Sequence, residues 1–303
     1  MVLEINIKKM RFIRRLFGCL ITFSIGLSLM GQTKRALVVG ISNYPQTDTN
    51  SWALIHGVND VELVTSVLKK QNFKIAKICD KAATANKIRS EINKLVTSCQ
   101  KGDIVYLHFS CHGQPFEDLN GDEEDGWDES IIPYDAKMQY NKGKYEGTNH
   151  IIDDELYGYL QKMRNAVGEK GMVCVIIDAC HSGGSSRGEE DEETQVFVRG
   201  TKNAFSPSGK DFRPRINARG NFQIPQNTGS GNIVILEACR SYQSNYEIKE
   251  SGKYYGSLSY YVCQVLEQKA LSSNLDWVIE VKKMMDADNR LIRQNMVYET
   301  SLK

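Results

Sequence analysis

Five short apolar segments constrain the fold of this chain more than any other feature. They are rich in Val, Ile and Leu and comprise residues 36–41, 73–79, 104–109, 172–177 and 233–236. Nearly continuous apolar runs of this length are typical of strands buried on both faces, as in parallel sheets. The segments therefore predict a mainly parallel sheet in the interior of the protein.

Helical patterns separate these segments. Ile88, Ile92 and Leu95 recur at spacings of three and four residues, and Thr84 is suited to cap the start of their helix. Asp153 and Asp154 precede a similar pattern, where their carboxylates favour a helix N-terminus. Alternating strands and helices with short connections predict an α/β fold, a three-layer sandwich in which helices flank the central sheet.

The N-terminal segment has the layout of an export signal. Five basic residues, at positions 8, 9, 11, 14 and 15, precede an apolar run over residues 16–30. A basic flank followed by such a run is typical of a secretory signal peptide, and a membrane span needs about 20 residues. We therefore expect residues 1–31 to be a signal peptide and residues 32–303 to be one exported domain, periplasmic or secreted. The alternative is an uncleaved membrane anchor formed by residues 16–30.

Composition excludes several classes of protein. The chain has 38 basic and 37 acidic residues, a net charge of +1, which argues against a nucleic-acid partner. Its 8 cysteines are too sparse for a disulfide scaffold. Removal of the leader would leave an odd number of them, which predicts at least one thiol outside any disulfide.

One long segment, residues 183–231, shows little periodicity. It is rich in Gly, Ser, Pro and charged residues, and it opens with the acidic run 189–193. Its basic residues in the following part are Arg199, Lys202, Lys210, Arg213, Arg215 and Arg219. A loop of this length is functional or disordered in most compact domains, and a solvated variable insertion is the alternative to a functional role.

Two of the apolar segments end in residues that suit thiol catalysis. Residues 104–109 lead to His112 and Gly113, and residues 172–177 lead to Cys180. If the two strands are neighbours, His112 and Cys180 meet at one edge of the sheet, where parallel sheets bind ligands. An imidazole can make a thiolate available, and glycine lets backbone N–H groups approach an oxyanion. A zinc site is the alternative, but the two adjacent Cys-His pairs lack the usual ligand spacing.

These motifs resemble those of the caspase-like cysteine peptidases, and most closely those of the type I metacaspases. Residues 107–113 read LHFSCHG and residues 178–183 read DACHSG, similar to the histidine and cysteine motifs of the family. Three further matching segments follow the order of the family: residues 57–60, 118–135 and 152–156. The resemblance covers about residues 34–262. It implies a caspase-like sandwich and the activity of a cysteine endopeptidase.

The resemblance also implies roles for individual residues. Cys180 corresponds to the nucleophile, His112 to its acid and base, and the N–H groups of Gly113 and Cys180 to the oxyanion hole. Asp60 and Asp178 match the acidic residues that line the specificity pocket. Two carboxylates in one pocket favour a cation, which predicts cleavage of protein or peptide substrates after Arg or Lys. A monomer is expected from the family.

Calcium is the cofactor that the resemblance implies. Asp128, Asp153 and Asp154 correspond to its ligands, and carboxylate oxygens suit this ion. An EF-hand over residues 118–129 is rejected, because Glu123 stands where such a loop requires Gly. The basic residues of the 183–231 segment, beside a pocket for Arg or Lys, predict calcium-stimulated self-processing there. The sequence does not select the bond that is cut.

Two other functions stay open at this point. One is a catalytically silent caspase-like module for binding or signalling, although the presence of both His112 and Cys180 argues against it. The other is an arginine-specific cysteine peptidase of the clostripain or gingipain type. The segment 118–135 resembles metacaspases more closely than that group.

Overall fold

The computed structural model describes residues 32–46, 51–181, 196–201, 203–213, 222, 224–225 and 228–302. The described residues from Thr33 onward form one compact unit. They contain eleven strands: β1 Lys34–Gly40, β2 Lys74–Cys79, β3 Ile104–Ser110, β4 Gly113–Glu117, β5 Trp127–Ile131, β6 Ile151–Ile152, β7 Met172–Asp178, β8 Asn232–Glu237, β9 Glu247–Glu250, β10 Lys253–Gly256 and β11 Val297–Thr300. The predicted leader, residues 1–31, and the acidic run 189–193 lie outside the described residues.

Six of the strands form the central sheet, in the order β11-β8-β7-β3-β1-β2. All neighbouring pairs are parallel except β11 and β8. The predicted strands are thus confirmed to within about two residues at their ends. The carboxyl ends of the central strands β3 and β7 consequently lie side by side.

Helices cover both faces of this sheet. The α-helices in the described part of the chain are α1 Gly57–Lys70, α2 Ala85–Ser98, α3 Asp153–Val167, α4 Ser257–Leu266 and α5 Asp276–Ala287. Helices α2 and α3 pack on one face, and α1, α4 and α5 pack on the other. The predicted three-layer α/β sandwich with a mainly parallel sheet is confirmed.

Alternation along the buried strands divides the core into two layers. In β3, Val105, Leu107 and Phe109 belong to the layer beneath α2 and α3, whereas Ile104 and Tyr106 belong to the other layer. Every residue of β3 and of β7 is buried. Successive side chains of a strand point to opposite faces, so strands apolar at every position fit a sheet covered on both sides.

Local signals place the helix ends. The hydroxyl of Thr84 accepts a hydrogen bond from the backbone N–H of Lys87 at 3.3 Å, which confirms the predicted cap of α2. Helix α3 begins at Asp153, with three acidic residues in its first turn. Such residues stabilise a helix start by opposing the helix dipole.

Two small antiparallel sheets were not predicted. Strands β4, β5 and β6 form one, and β9 and β10 form the other. Their sequences mix charged, aromatic and small residues, and β6 is only two residues long. Such segments lack the continuous apolar pattern that identifies the central strands. They nevertheless form walls of the site at the edge of the sheet.

Candidate active site

The pairing of β3 with β7 brings the two sequence motifs to one place. Ser110 and Asp178, the last residues of these strands, are direct partners across the pair. His112 and Cys180 each lie two residues further along their chains. Both therefore leave the sheet at the same edge, as expected from neighbouring parallel strands.

The His112 ring is held in a neutral, basic form. Its Nε2–H donates to the carbonyl of Ala53 at 2.8 Å, and its Nδ1 has no hydrogen-bond partner among the described residues. The ring stacks on Trp52 with centroids 5.2 Å apart and contacts Tyr44 at the same separation. Burial lowers the pKa of His112 to about 4. Near neutral pH the imidazole can thus accept a proton at Nδ1.

Cys180 lies beside a carbonyl group of its own chain. Its thiol is buried and donates to the backbone carbonyl of Gln243 at 2.7 Å. Its backbone N–H donates to the carbonyl oxygen of Arg199 at 2.8 Å, and the N–H of Gly113 donates to the same oxygen at 3.3 Å. Two N–H groups that converge on one oxygen have the arrangement of an oxyanion hole.

The guanidinium of Arg199 fills a buried acidic pocket, defined here by Asp60, Asp178 and Glu247. Its Nη2 lies 2.7 Å from Asp60 Oδ2, and its Nη1 lies 3.6 Å from Asp178 Oδ1. Its Nε and Nη2 donate to Glu247 Oε1 at 3.0 and 2.8 Å, and its Nη1 donates to Ser110 Oγ at 2.7 Å. The structure thus brings Asp60 and Asp178 together around a basic side chain.

Burial and charge compete in this pocket. Burial raises the pKa of Asp60 to about 7, even though the attraction of Arg199 lowers it. Burial alone would raise the pKa of Glu247 too, but Arg199 and His56 together bring it below its usual range. Burial would lower the pKa of Arg199, yet the attraction of the three carboxylates raises it. A cation is therefore strongly stabilised in the acidic pocket.

Surrounding groups fix the orientation of the two aspartates. Asp60 accepts hydrogen bonds from the N–H of Gly256 at 3.0 Å and from the Ser110 hydroxyl at 2.5 Å. Asp178 accepts from both the N–H and the hydroxyl of Ser259, at 2.7 and 2.6 Å. A side chain at position 256 would clash with Asp178 and Arg199, so the pocket requires glycine there.

Several residues of this pocket were missed from the sequence. They are Ser110, Arg199, Asn245, Glu247, Gly256 and Ser259, with Asn245 donating from its amide to Asp178 at 2.7 Å. Glu247 and Gly256 lie in the short strands β9 and β10, for which the sequence indicated no individual contact. Arg199 stood among the basic residues of the irregular segment, but nothing in the sequence distinguished it from the others.

A second group of carboxylates, the acidic cluster, is defined by Asp118, Asp122, Asp128, Asp153 and Asp154. One carboxylate oxygen each from Asp118, Asp122 and Asp128 lie within 4.8 Å of one another. Burial and the nearby charges, that of Asp154 first among them, raise the pKa of Asp128 to about 7. Of the predicted residues, Asp128 belongs to this trio with Asp118 and Asp122, whereas Asp153 and Asp154 lie near enough for charge repulsion but outside the trio.

The acidic cluster fits a calcium ion by its chemistry. Asp128 and Asp153 are buried, and the Oδ1 atom of each has no hydrogen-bond partner among the described residues. Burial and repulsion from Asp128 raise the pKa of Asp153 as well. Unpartnered carboxylate oxygens at close range are the ligands that calcium prefers. The acidic run 189–193, which follows Cys180 in sequence, lies outside the described residues.

None of the cysteines in the described part of the chain forms a disulfide bond. Most of these thiols are buried, as expected for cysteines that lie in apolar segments.

Together, the fold and this edge of the sheet define a class of protein. A histidine and a cysteine follow adjacent central strands, two N–H groups converge beside the thiol, and an acidic pocket adjoins them. This is the arrangement of a caspase-like fold with the site of a cysteine peptidase.

Comparison with known proteins identifies the family. The sequence model of the caspase domain matches residues 33–302. Metacaspase-1 of Mycosarcoma maydis is 27% identical over 278 residues, covering 80% of this chain and 64% of that protein. Metacaspase-1 of Candida albicans is 25% identical over 292 residues, which cover 84% of this chain and 62% of that protein. The chain belongs to the caspase domain family of cysteine peptidases, and these relatives are metacaspases. The family predicted from the motifs is confirmed.

A solved structure supports the fold independently. The crystal structure of protein GSU0716 from Geobacter sulfurreducens superposes with a TM-score of 0.61 at 20% identity, over 89% of this chain and 94% of that one. At this identity the likeness concerns the fold alone.

The chain spans slightly less than two thirds of the length of the two metacaspases above.

Proposed function

We propose that the protein is an endopeptidase that cleaves peptide bonds after Arg, and more slowly after Lys, with Cys180 as nucleophile. One observation carries the proposal. The side chain of Arg199 fills the acidic pocket while its carbonyl oxygen accepts from the N–H groups of Gly113 and Cys180. A substrate arginine held in this way would present its carbonyl carbon beside the thiol.

The reaction follows from the groups at the site. Rotation of the Cys180 side chain away from the Gln243 carbonyl would allow the thiol to give its proton to Nδ1 of His112. The thiolate attacks the substrate carbonyl, and the N–H groups of Gly113 and Cys180 stabilise the negative charge that forms on oxygen. The imidazolium then donates its proton to the leaving amine, and water hydrolyses the thioester.

The shape of the pocket favours Arg over Lys. Glu247 accepts two hydrogen bonds from the guanidinium, Asp60 lies against one of its terminal nitrogens, and Ser110 accepts from the other. These acceptors match the planar fork of arginine, whereas the ammonium of lysine is a compact charge that reaches fewer of them. Three carboxylates exclude an acidic residue from this position by repulsion.

Calcium stimulation forms part of the proposal. The acidic cluster would hold the ion through carboxylate oxygens, and bound calcium would neutralise the repulsion among these side chains. Asp118 and Asp122 of the loop after β4 and Asp128 of β5 would supply ligands, and Asp153 and Asp154 in the first turn of α3 would adjoin them. Ordering of these elements against one another would stabilise the adjoining wall of the site.

Export through the predicted leader, residues 1–31, is also proposed. The part of the chain that the structure describes contains no helix with the length and hydropathy of a membrane span.

Hydrolysis of short peptides tests the function directly. Substrates with Arg, Lys or Asp at the cleaved position are assayed with and without calcium, using wild type, Cys180→Ala and His112→Ala. We expect turnover with Arg above Lys, none with Asp, and loss of activity in both variants. Cys99→Ala is the matched control, because its thiol lies at the end of α2, where it donates to the carbonyl of Leu95 at 3.1 Å. Absence of turnover under all conditions would indicate a silent binding module instead.

A further inference from the structure

We infer that residues 196–201 lie in the cleft as an intramolecular substrate, and that Cys180 cuts the bond between Arg199 and Gly200. The inference rests on the proposed function and selects one bond among those that the sequence left open. It also implies that the uncut chain is closed to other arginine substrates, because its own side chain occupies the pocket.

The residues before this bond are held as a substrate strand. The N–H of Arg199 donates to the carbonyl of Asn245 at 3.0 Å, and the N–H of Glu247 donates to the carbonyl of Phe197 at 3.0 Å. Val198 forms an antiparallel bridge with Tyr246 between these two bonds. Addition of an extended segment to an exposed strand edge is a common mode of peptide recognition.

Side chains reinforce this strand on both sides. The ring of Phe197 packs against His56 and Tyr254, with centroids 4.6 and 4.7 Å apart. Val198 is buried, and Arg199 is fully buried in the acidic pocket. Residues 197–199 are therefore not solvated in the way that the alternative interpretation of this segment requires.

The residues after the bond are anchored on β4. Gly200 forms a parallel bridge with Gly113, and Phe205 forms another with Phe116. The N–H of Phe205 donates to the carbonyl of Pro115 at 2.8 Å, and its ring stacks on Phe116 at 5.0 Å. The chain is thus fixed on both sides of one peptide bond, and fixed reactants react faster than mobile ones.

The identity of Gly200 fits the residue after the cut. A Cβ atom at this position would clash with the carbonyl oxygen of Cys180, and it would also approach the Cys180 side chain. Only glycine lets the backbone pass this close to the nucleophile. Arg199 therefore fits the acidic pocket, and Gly200 fits the narrow space beside Cys180.

Other described basic residues of the segment lie elsewhere. Lys210 donates to the carbonyl of Gly126 at 3.3 Å and lies over the ring of Trp127. Arg213 is exposed. Lys202, Arg215 and Arg219 lie outside the described residues.

The cleavage requires only Cys180, His112 and one water molecule. The Cys180 thiolate bonds to the carbonyl carbon of Arg199, and the bond from that carbon to the nitrogen of Gly200 breaks. His112 donates the thiol proton to the new amine of Gly200. Water then releases a carboxylate at Arg199, after which the arginine can leave the pocket.

Fragment analysis tests the bond. Full-length wild type, Arg199→Gln, Arg199→Lys and Arg213→Gln are incubated with calcium, and products are identified by intact mass and N-terminal sequencing. We expect a fragment that begins at Gly200 from wild type and Arg213→Gln, slower formation of the same fragment from Arg199→Lys, and an intact Arg199→Gln chain. The rate should not depend on protein concentration, because the substrate is intramolecular.

Peptide hydrolysis measured on the same samples separates the two proposals. We expect a lag in wild type that parallels the cut, and no lag in Arg199→Gln, because without the ion pairs of the guanidinium an arginine substrate can displace the segment from the cleft. Turnover of arginine peptides by a wild-type chain that stays intact, or that is cut elsewhere at the same rate in Arg199→Gln, would overturn this inference alone. If arginine peptides are not hydrolysed by any of the four proteins, the proposed function fails, and the inference fails with it.

Discussion

The acidic pocket and the acidic cluster bring carboxylates together in two different electrostatic states. In the acidic pocket the charges face the guanidinium of Arg199, and the pKa of Glu247 lies below its usual range. In the acidic cluster the carboxylates face mainly one another, and the pKa of Asp128 is raised to about 7. Burial also raises the pKa of Asp60 in the acidic pocket to about 7, but there the attraction of Arg199 opposes the shift, whereas in the acidic cluster the neighbouring carboxylates add to it.

The difference lies in the source of the positive charge. The acidic pocket receives a cation from the chain itself, because residues 196–201 carry Arg199 into it. The acidic cluster has buried carboxylate oxygens that none of the described residues satisfies. Buried charges must be paired or coordinate a metal. One region is therefore suited to a peptide cation and the other to a metal ion from solution.

Removal of a pocket carboxylate should give the largest effect. We expect Asp178→Asn to lower kcat/KM for arginine peptides by about 10²- to 10³-fold, because loss of one partner of a buried charge pair costs ~3 to 4 kcal/mol. Steady-state hydrolysis measures the change. Asp286→Asn is the control, since this carboxylate is half-exposed on α5 and, among the described residues, forms an ion pair with Lys282 alone. An equal loss in both variants would contradict the pocket assignment.

A neutral residue at Glu247 should destabilise the uncut chain. In a Cys180→Ala background, which keeps Arg199 in the pocket, we expect Glu247→Gln to lower the free energy of unfolding by about 3 kcal/mol. The physical reason is that the neutral amide can still accept these hydrogen bonds but no longer supplies a negative charge to balance the buried guanidinium. Urea denaturation gives the value. An unchanged midpoint would mean that Arg199 does not occupy the pocket in solution.

The rate of self-cleavage should depend on pH through His112. Burial lowers the pKa of this imidazole in the uncut chain to about 4, against an ordinary value near 6.5. The neutral form is the base, so the rate at saturating calcium should stay high as pH falls from 7 to 5. Below pH 4 the rate should fall about tenfold per unit, because the protonated imidazole cannot accept the thiol proton. A midpoint near 6.5 that persists in an Asp60→Asn variant would show that the ring is hydrated before the cut, because that variant removes the carboxyl whose pKa is about 7.

Neutralisation of one carboxylate of the acidic cluster should raise the free energy of unfolding, whereas neutralisation of Glu247 in the acidic pocket should lower it. Without calcium, we expect Asp128→Asn in the Cys180→Ala background to raise the free energy of unfolding by about 1 kcal/mol, since it removes a buried charge from a repulsive group. Calcium at about 100 times its Kd should stabilise the parent by ~2.7 kcal/mol and the variant much less. Thermal unfolding with and without calcium provides both numbers. Destabilisation of the calcium-free variant would contradict this comparison.

The parts of the site that sequence reasoning located depend on local signals. His112 and Cys180 follow apolar strands, and the pairing of Ser110 with Asp178 places them at one edge of the sheet. The assignment of Asp60 and Asp178 to the pocket rested on a family resemblance, and in the structure both carboxylates lie beside the guanidinium of Arg199. Glu247 gave no such signal, because its strand is short, polar and distant in sequence from the other carboxylates.

The sequence by itself determined the sandwich and its sheet, since the continuous apolar strands can be buried only between two layers of helices. It also located the thiol and the imidazole, because strand ends are readable from the apolar pattern. Only the tertiary structure decided which basic residue meets the acidic pocket. That choice depends on a segment without periodicity, whose path is set by backbone pairing with Asn245 and Glu247 on one side of Arg199 and with β4 on the other. Backbone hydrogen bonds are available to every residue type except that proline lacks the N–H, so they leave little pattern in the sequence.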